Sequence, residues 1–144
     1  MTSDRLARDY LRRARTRRLA LDTFLAAGLH GDVMREAQEI VELLLKGTLR
    51  FVGVDPPKRH DAHEIIGQFL DRLPAEWTQV TREMRATLDR LAEERGRAFY
   101  GDEVTDTPAS ELYGPDDARQ AVAIADRLLA MYERLLGEAG EPGG

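Results

Sequence analysis

Residues 32–52 constrain the fold of this chain more than any other stretch. Val33, Ala37, Ile40, Val41, Leu44, Thr48 and Phe51 recur at three- and four-residue spacing, and Met34, Leu45, Leu49 and Val52 form a second apolar stripe beside them. A surface helix buries an arc of about 100°. This arc is wider, so the spacing predicts a central helix packed from two sides, with both stripes too much for one bundle to cover and a second copy of the chain sharing them. Asp32 is placed to cap its start, and Gly53 with Pro56 and Pro57 to end it, giving about six turns. Arg35, Glu36, Gln38, Glu39, Glu42 and Lys46 are its polar residues, and Glu42 with Lys46 reads as a helix-surface ion pair.

Composition narrows the chemistry. The chain has 144 residues, enough for one domain to bury a core without staples, and it contains no cysteine. Disulfides, thiolate zinc sites and cysteine nucleophiles are therefore excluded. No apolar run approaches the roughly 20 residues that cross a bilayer, and the arginine-rich N-terminus lacks the apolar core of a signal peptide, so a cytoplasmic location is expected. Charge is polarised along the chain. Residues 1–18 hold seven arginines against Asp4 and Asp9, whereas residues 99–144 hold three arginines against ten acids. A basic arm of that kind attracts polyanions. The simpler reading is that the first and last helices lie side by side and neutralise one another, because a net charge of −5 argues against unaided nonspecific nucleic-acid binding.

In chain order, a first helix is expected over residues 4–27, with Ala7, Leu11, Ala14, Arg18, Leu21 and Leu25 inward, Tyr10 and Phe24 alongside, and Gly28 as the stop. Arg18 interrupts the stripe and either snorkels to the surface or pairs with Glu39 or Glu42. Only three residues separate this helix from Asp32, which predicts an antiparallel hairpin. After an extended proline segment, Asp61 with Glu64 is placed to open a short third helix that buries Ile65, Ile66, Phe69, Leu70 and Leu73. A fourth helix is expected over residues 75–97 with Trp77, Val80, Met84, Leu88 and Leu91 inward and Arg95 extending the stripe. A loop over residues 98–114 leads to Pro115 and a last helix whose apolar face runs Ala118, Ala121, Val122, Ala125, Leu128, Leu129, Tyr132, Leu136. The fold class is thus all-α, an antiparallel bundle of about five helices in a single domain over residues 1–137, with residues 138–144 a disordered tail.

Candidate chemistry is sparse. His60, His63 and Glu64 are of the right types for a metal, but His60 precedes the helix cap and the two imidazoles do not share a face, so no metal site is expected. There is no glycine-rich phosphate loop and no nucleophile motif, and no cofactor is implied. The central helix segment Glu36-Ala37-Gln38-Glu39-Ile40-Val41-Glu42-Leu43-Leu44-Leu45-Lys46, the linker Gly53-Val54-Asp55-Pro56-Pro57-Lys58-Arg59-His60-Asp61 and the later Arg97-Ala98-Phe99-Tyr100-Gly101-Asp102-Glu103 together resemble the HEPN domain, named for higher eukaryotes and prokaryotes nucleotide-binding. The resemblance covers about residues 8–136.

That resemblance implies a bundle that usually dimerises and one of three roles. These are metal-independent ribonuclease, nucleotide-binding module, and non-catalytic partner of a small nucleotidyltransferase in a two-gene, toxin–antitoxin-like setting. HEPN ribonucleases resemble one another in an arginine followed, some four to six residues on, by a histidine that moves protons near neutral pH. Here Arg95 and Arg97 precede only Tyr100, Gly101, Asp102 and Glu103, and no histidine follows His63. With an unperturbed pKa of about 10, tyrosine is a poor proton shuttle at pH 7. The expected reading is a dimeric, non-catalytic binding or partner module with no catalytic residues, in which Lys58, Arg59, His60, Arg95, Arg97 and Tyr100 contact a nucleotide or RNA across a dimer cleft. The alternative is a ribonuclease with an atypical site.

Overall fold

The computed structural model describes residues 2–58 and 62–137, and its centre is a single long helix, α2 (His30–Phe51). α1 (Thr2–Ala26) precedes it, and α3 (Ala62–Ile65), α4 (Ala75–Glu83), α5 (Arg85–Tyr100), α6 (Ala109–Leu112) and α7 (Pro115–Leu135) follow. Among the described residues there is no strand, only an isolated bridge between Asp102 and Thr107. The long helices α1, α2, α5 and α7 form the expected bundle. α1 packs on α2 most extensively, then α7, then α5.

Three neighbours, rather than two, explain how the wide apolar arc of α2 is covered. Val33, Met34, Ala37, Ile40, Val41, Leu44, Leu45 and Leu49 are all buried within one chain, so both stripes are satisfied without a second copy. Phe51, placed on the inner stripe by spacing, is instead 40 % exposed at the helix end. The helix begins two residues earlier than expected, with Leu29 at the cap, and Asp32 sits in the first turn. There its charge complements the helix N-terminus instead of capping it.

The hairpin forms as the sequence indicates. Gly28 adopts φ +71°, and the Leu29 amide donates to the Phe24 carbonyl at 3.0 Å; Gly53 repeats the device at the end of α2 with φ +83° and Val54 donating to Leu49 at 2.9 Å. Positive φ suits glycine, and both turns satisfy carbonyls that would otherwise lack partners.

Two expected helices differ. The third shrinks to the single turn of α3, followed by 3₁₀ turns at Ile66–Gln68 and Leu70–Arg72, and of its expected buried face only Ile66 is fully buried. Gly67 inside so short a segment, with Pro74 close behind, leaves too few residues for a stable α-helix. The fourth divides at Met84 (φ −109°, ψ 15°) into α4 and α5. Neither glycine nor proline marks that break, so spacing alone runs one helix straight through it. The expected cap at Asp61 and the tail over residues 138–144 lie outside the described residues.

α7 starts as read, with Pro115 at its first turn and the Asp117 carboxylate accepting from the Gly114 amide at 2.8 Å. Its deepest anchor is Tyr132, fully buried, whose hydroxyl donates to the Ala7 carbonyl of α1 at 2.5 Å. That hydroxyl crosses α2 directly above Gly47, where a Cβ would fall 2.1 Å from it. Gly47 is therefore the notch through which α7 reaches α1.

The first and last helices do neutralise each other: Arg15 meets Glu133 at 2.6 Å and Arg18 meets Asp126 at 2.5 Å. Arg18 thus pairs with α7, and with Asp22 of its own helix at 2.9 Å, and not with Glu39 or Glu42 of α2.

Candidate functional site

The late-helix arginines sit where α5 crosses the first half of α2. Arg95 donates to Glu39 Oε1 through Nε at 3.0 Å and Nη2 at 2.8 Å, and Arg35 reaches the same oxygen at 3.3 Å. Arg35 also donates to the Arg95 carbonyl at 3.3 Å and lies over the Phe99 ring at 4.8 Å. One carboxylate thus orders two guanidinium groups. Arg97 lies between Glu94 at 3.3 Å and Asp102 at 3.1 Å. Backbone hydrogen bonds from Thr105 and Val104, with Arg97 nearby, hold the Asp102 carboxyl below its usual range. Glu94 in turn accepts from the Tyr113 hydroxyl at 2.9 Å, and burial together with that carboxylate pushes the Tyr113 hydroxyl up to about 12.

Chemically, this region gathers three guanidinium groups, each already held by a carboxylate. Tyr100 is 70 % exposed, edge-on to Phe99 at 4.7 Å. Gly31 packs so tightly on the Ala98 carbonyl that a Cβ there would lie 2.7 Å from it, which seats the start of α2 against the last turns of α5, while the neighbouring His30 acts electrostatically on Asp117 at the start of α7. Tight glycine packing between distant segments leaves no periodic signal, so sequence reasoning missed it. His63 is buried and its Nε2 lies 3.0 Å from Asp89, a structural pairing away from these arginines.

Lys58 belongs to a different place. It lines a cavity of about 440 Å³ together with Tyr10, Lys46, Arg50, Asp55, Pro56 and Pro57. Measured along α2, Lys46 and Arg50 stand eleven residues beyond Arg35 and Glu39, about 16 Å at 1.5 Å per residue. Within one chain the structure does not bring Lys58 together with Arg95, Arg97 and Tyr100. Arg59 and His60 lie outside the described residues. Among the described residues, no group of three His, Cys, Asp or Glu side chains is placed to hold a metal, and no helix is long and apolar enough to cross a membrane.

Glu42 also departs from its sequence reading. Its side chain is only 6 % exposed, 3.7 Å from Lys46 Nζ and 3.5 Å from the buried Gln38 amide. It is an interior carboxylate, not half of a surface pair, because Gln38 and Glu42 share a buried row of α2 with the core residues.

An all-α bundle around one central helix, with an arginine-rich late helix and a proline-bearing linker after the hairpin, defines the class of protein. The family model of the HEPN domain matches residues 7–135, nearly the whole chain. The chain belongs to the HEPN domain family, and at family level it is a nucleotide- or RNA-related module. Neither the curated proteins nor the solved structures provide a match.

Proposed function

We propose that this protein is a dimeric, non-catalytic HEPN module that recognises a nucleotide, an RNA or a small nucleotidyltransferase partner. The observation that carries the reading is the state of the late-helix arginines: Arg95 and Arg97 are held by Glu39, Glu94 and Asp102, and the side chain that follows them is the exposed Tyr100. General acid–base catalysis contributes about 10² to 10⁴ in rate, and no histidine follows the arginines on the helix. Lys58 would join Arg95, Arg97 and Tyr100 in one binding surface only across two copies, and Arg59 and His60 are proposed to belong to that surface. HEPN domains often dimerise. Phe99, Tyr100 and Val104, exposed together at the end of α5, are apolar surface that a second copy would cover.

Cleavage of a single-stranded RNA should be assayed for the wild type, Arg97→Ala, His30→Ala, Tyr100→Phe and Tyr100→His. Binding without cleavage by the wild type is expected, and activity appearing only with Tyr100→His would show a site that lacked just its base. Robust wild-type cleavage abolished by Arg97→Ala or His30→Ala would overturn the non-catalytic reading. Light scattering at micromolar concentration should give a dimer, and a monomer there would remove the second copy.

A further inference from the structure

We propose that the linker cavity is a binding site for a phosphorylated sugar of mononucleotide size. Lys46, Arg50 and Lys58 would hold the phosphate, and Asp55 would accept from a sugar hydroxyl. The proposal rests on the reading of the protein as a binding module and gives that module a place and a ligand class.

Charge compensation is the first observation. Many arginines elsewhere on the molecule find carboxylates on neighbouring helices, such as Arg17 with Glu36, Arg90 with Asp117 and Arg134 with Glu76, while Arg5, Arg13, Arg72 and Arg82 have no ion pair among the described residues but do not stand around a shared cavity with a lysine. Around this cavity, Arg50, Lys58 and Asp55 have no ion-pair partner among the described residues, and Lys46 has a long contact to Glu42 at 3.7 Å. Arg50 Nε is buried with no hydrogen-bond partner in the protein, and its guanidinium stands 6.0 Å from the centre of the Tyr10 ring. A buried charged donor without an acceptor is costly, and cations gathered around one space repel, so an anion there relieves both.

The opposing effect is the C-terminal end of α2, equivalent to about half a negative charge. Its last carbonyls are already occupied, Thr48, Leu49 and Arg50 accepting from Val52, Val54 and Gly53. Asp55 and the Glu42 beside Lys46 offset two of the three cations, so the side chains around the cavity leave a positive balance that still exceeds the helix end. Pro56 and Pro57 present no N–H, so an anion would be recognised by side chains alone and not by a backbone cradle.

Asp55 decides the class of ligand. A bare anion entering the cavity meets its carboxylate, whereas a phosphate attached to a hydroxylated sugar satisfies the cations and the carboxylate together. The volume of about 440 Å³ suits a ligand of nucleotide size, and the Tyr10 ring offers an apolar wall.

Calorimetric titration of the intact protein with AMP, ribose 5-phosphate, adenosine and inorganic phosphate tests this, with circular dichroism to confirm that each variant folds. AMP and ribose 5-phosphate should bind, with adenosine and inorganic phosphate at least about tenfold weaker. Arg50→Ala and Lys58→Ala should weaken ribose 5-phosphate by about tenfold or more, and Arg50→Lys should recover part of the loss. Asp55→Asn should narrow the gap between ribose 5-phosphate and inorganic phosphate. Arg90→Ala, at an arginine that pairs with Asp117 and does not line the cavity, should change nothing. Binding lost in Arg97→Ala but kept in Arg50→Ala and Lys58→Ala would overturn the inference while leaving the binding-module reading intact. No binding of either phosphorylated compound to the wild type would also overturn it.

Discussion

α2 carries a group of cations toward each of its ends, and the two groups differ in what neutralises them. Near its start, Arg35 and the Arg95 of α5 share Glu39, and Arg97 is held between two carboxylates. Near its end, Arg50 and Lys58 face a cavity without ion-pair partners among the described residues. The residue types are alike and the number of nearby carboxylates is not. Where each guanidinium has an acceptor, the charge serves packing between helices; where acceptors are short among the described residues, the charge marks the place proposed above for a ligand. An inventory of basic residues merges these two cases.

The variant expected to act most strongly lies between the two groups. Gly47 adjoins Lys46 and stands three residues before Arg50, and a Cβ there would press on the Tyr132 hydroxyl at 2.1 Å and its ring at 2.7 Å. Overpacking of this kind costs about 1–3 kcal/mol and exceeds the gain in helix propensity from glycine to alanine, near 1 kcal/mol, once the buried Tyr132–Ala7 hydrogen bond is also lost. Gly47→Ala should therefore destabilise by about 2 kcal/mol in urea unfolding. Combining it with Tyr132→Phe should give less than the sum of the two single effects, because the closest atom is gone. Full additivity would mean that the two residues do not meet.

Next in size is the contrast between the groups themselves. Arg95→Ala removes a partner of Glu39 that lies at 2.8 Å, with Arg35 at 3.3 Å among those that stay, and should lower stability by about 1 kcal/mol for a partly buried pair. Arg50→Ala removes a repelling cation and should fall within about 0.5 kcal/mol of the wild type. Equal losses would place Arg50 in the structural group and break the comparison.

High pH tests the late-helix side through one tyrosine. Tyr113, beside Glu94 of the late-helix group, is raised from 10.0 to about 12 by burial and then by that carboxylate. A raised tyrosine pKa favours the folded state fully below the unfolded value, and the advantage is lost as pH climbs from 10 toward about 12. Thermal melts across that window should show Tyr113→Phe losing less stability than the wild type, and parallel curves would refute the shift.

How much of this was legible in the sequence follows from which signals are local. Gly28 and Gly53 end their helices as their positions imply, and the wide stripe of α2 correctly marked the central element. Periodicity assigns a polar residue to the outside, so Glu42 with Lys46 reads as a surface pair, although a polar row such as Gln38 and Glu42 can be buried when its members contact one another. The role of Gly47 depends on Tyr132, far along the chain, and no local rule joins them. For the site, the sequence supplied the residue types, Lys58, Arg95, Arg97 and Tyr100 among them. It could not show that Lys58 and Arg95 sit about three turns apart along α2, nor which carboxylates take up which arginines, because ion pairing is decided by tertiary neighbours.

The smallest effect expected is also the one that tests the premise that paired arginines organise more than they stabilise. Arg18 on α1 meets Asp126 on α7 at 2.5 Å, with side chains 25 % and 47 % exposed, and keeps Asp22 as a second partner. Solvent screens a pair so placed, and ordering two long side chains offsets part of the attraction, so a double-mutant cycle on Arg18→Ala and Asp126→Ala should give a coupling of about 0.5 kcal/mol. Molar salt shortens the screening length to roughly 3 Å and should reduce that coupling further. A coupling above about 1.5 kcal/mol that persisted in salt would mean that the α1–α7 ion pairs hold the bundle together. In that case, Arg50 and Lys58, which lack ion-pair partners among the described residues, would be a loss of stability that the fold tolerates, which makes occupation by the proposed anionic ligand a larger source of stabilisation than the weak-pair picture allows.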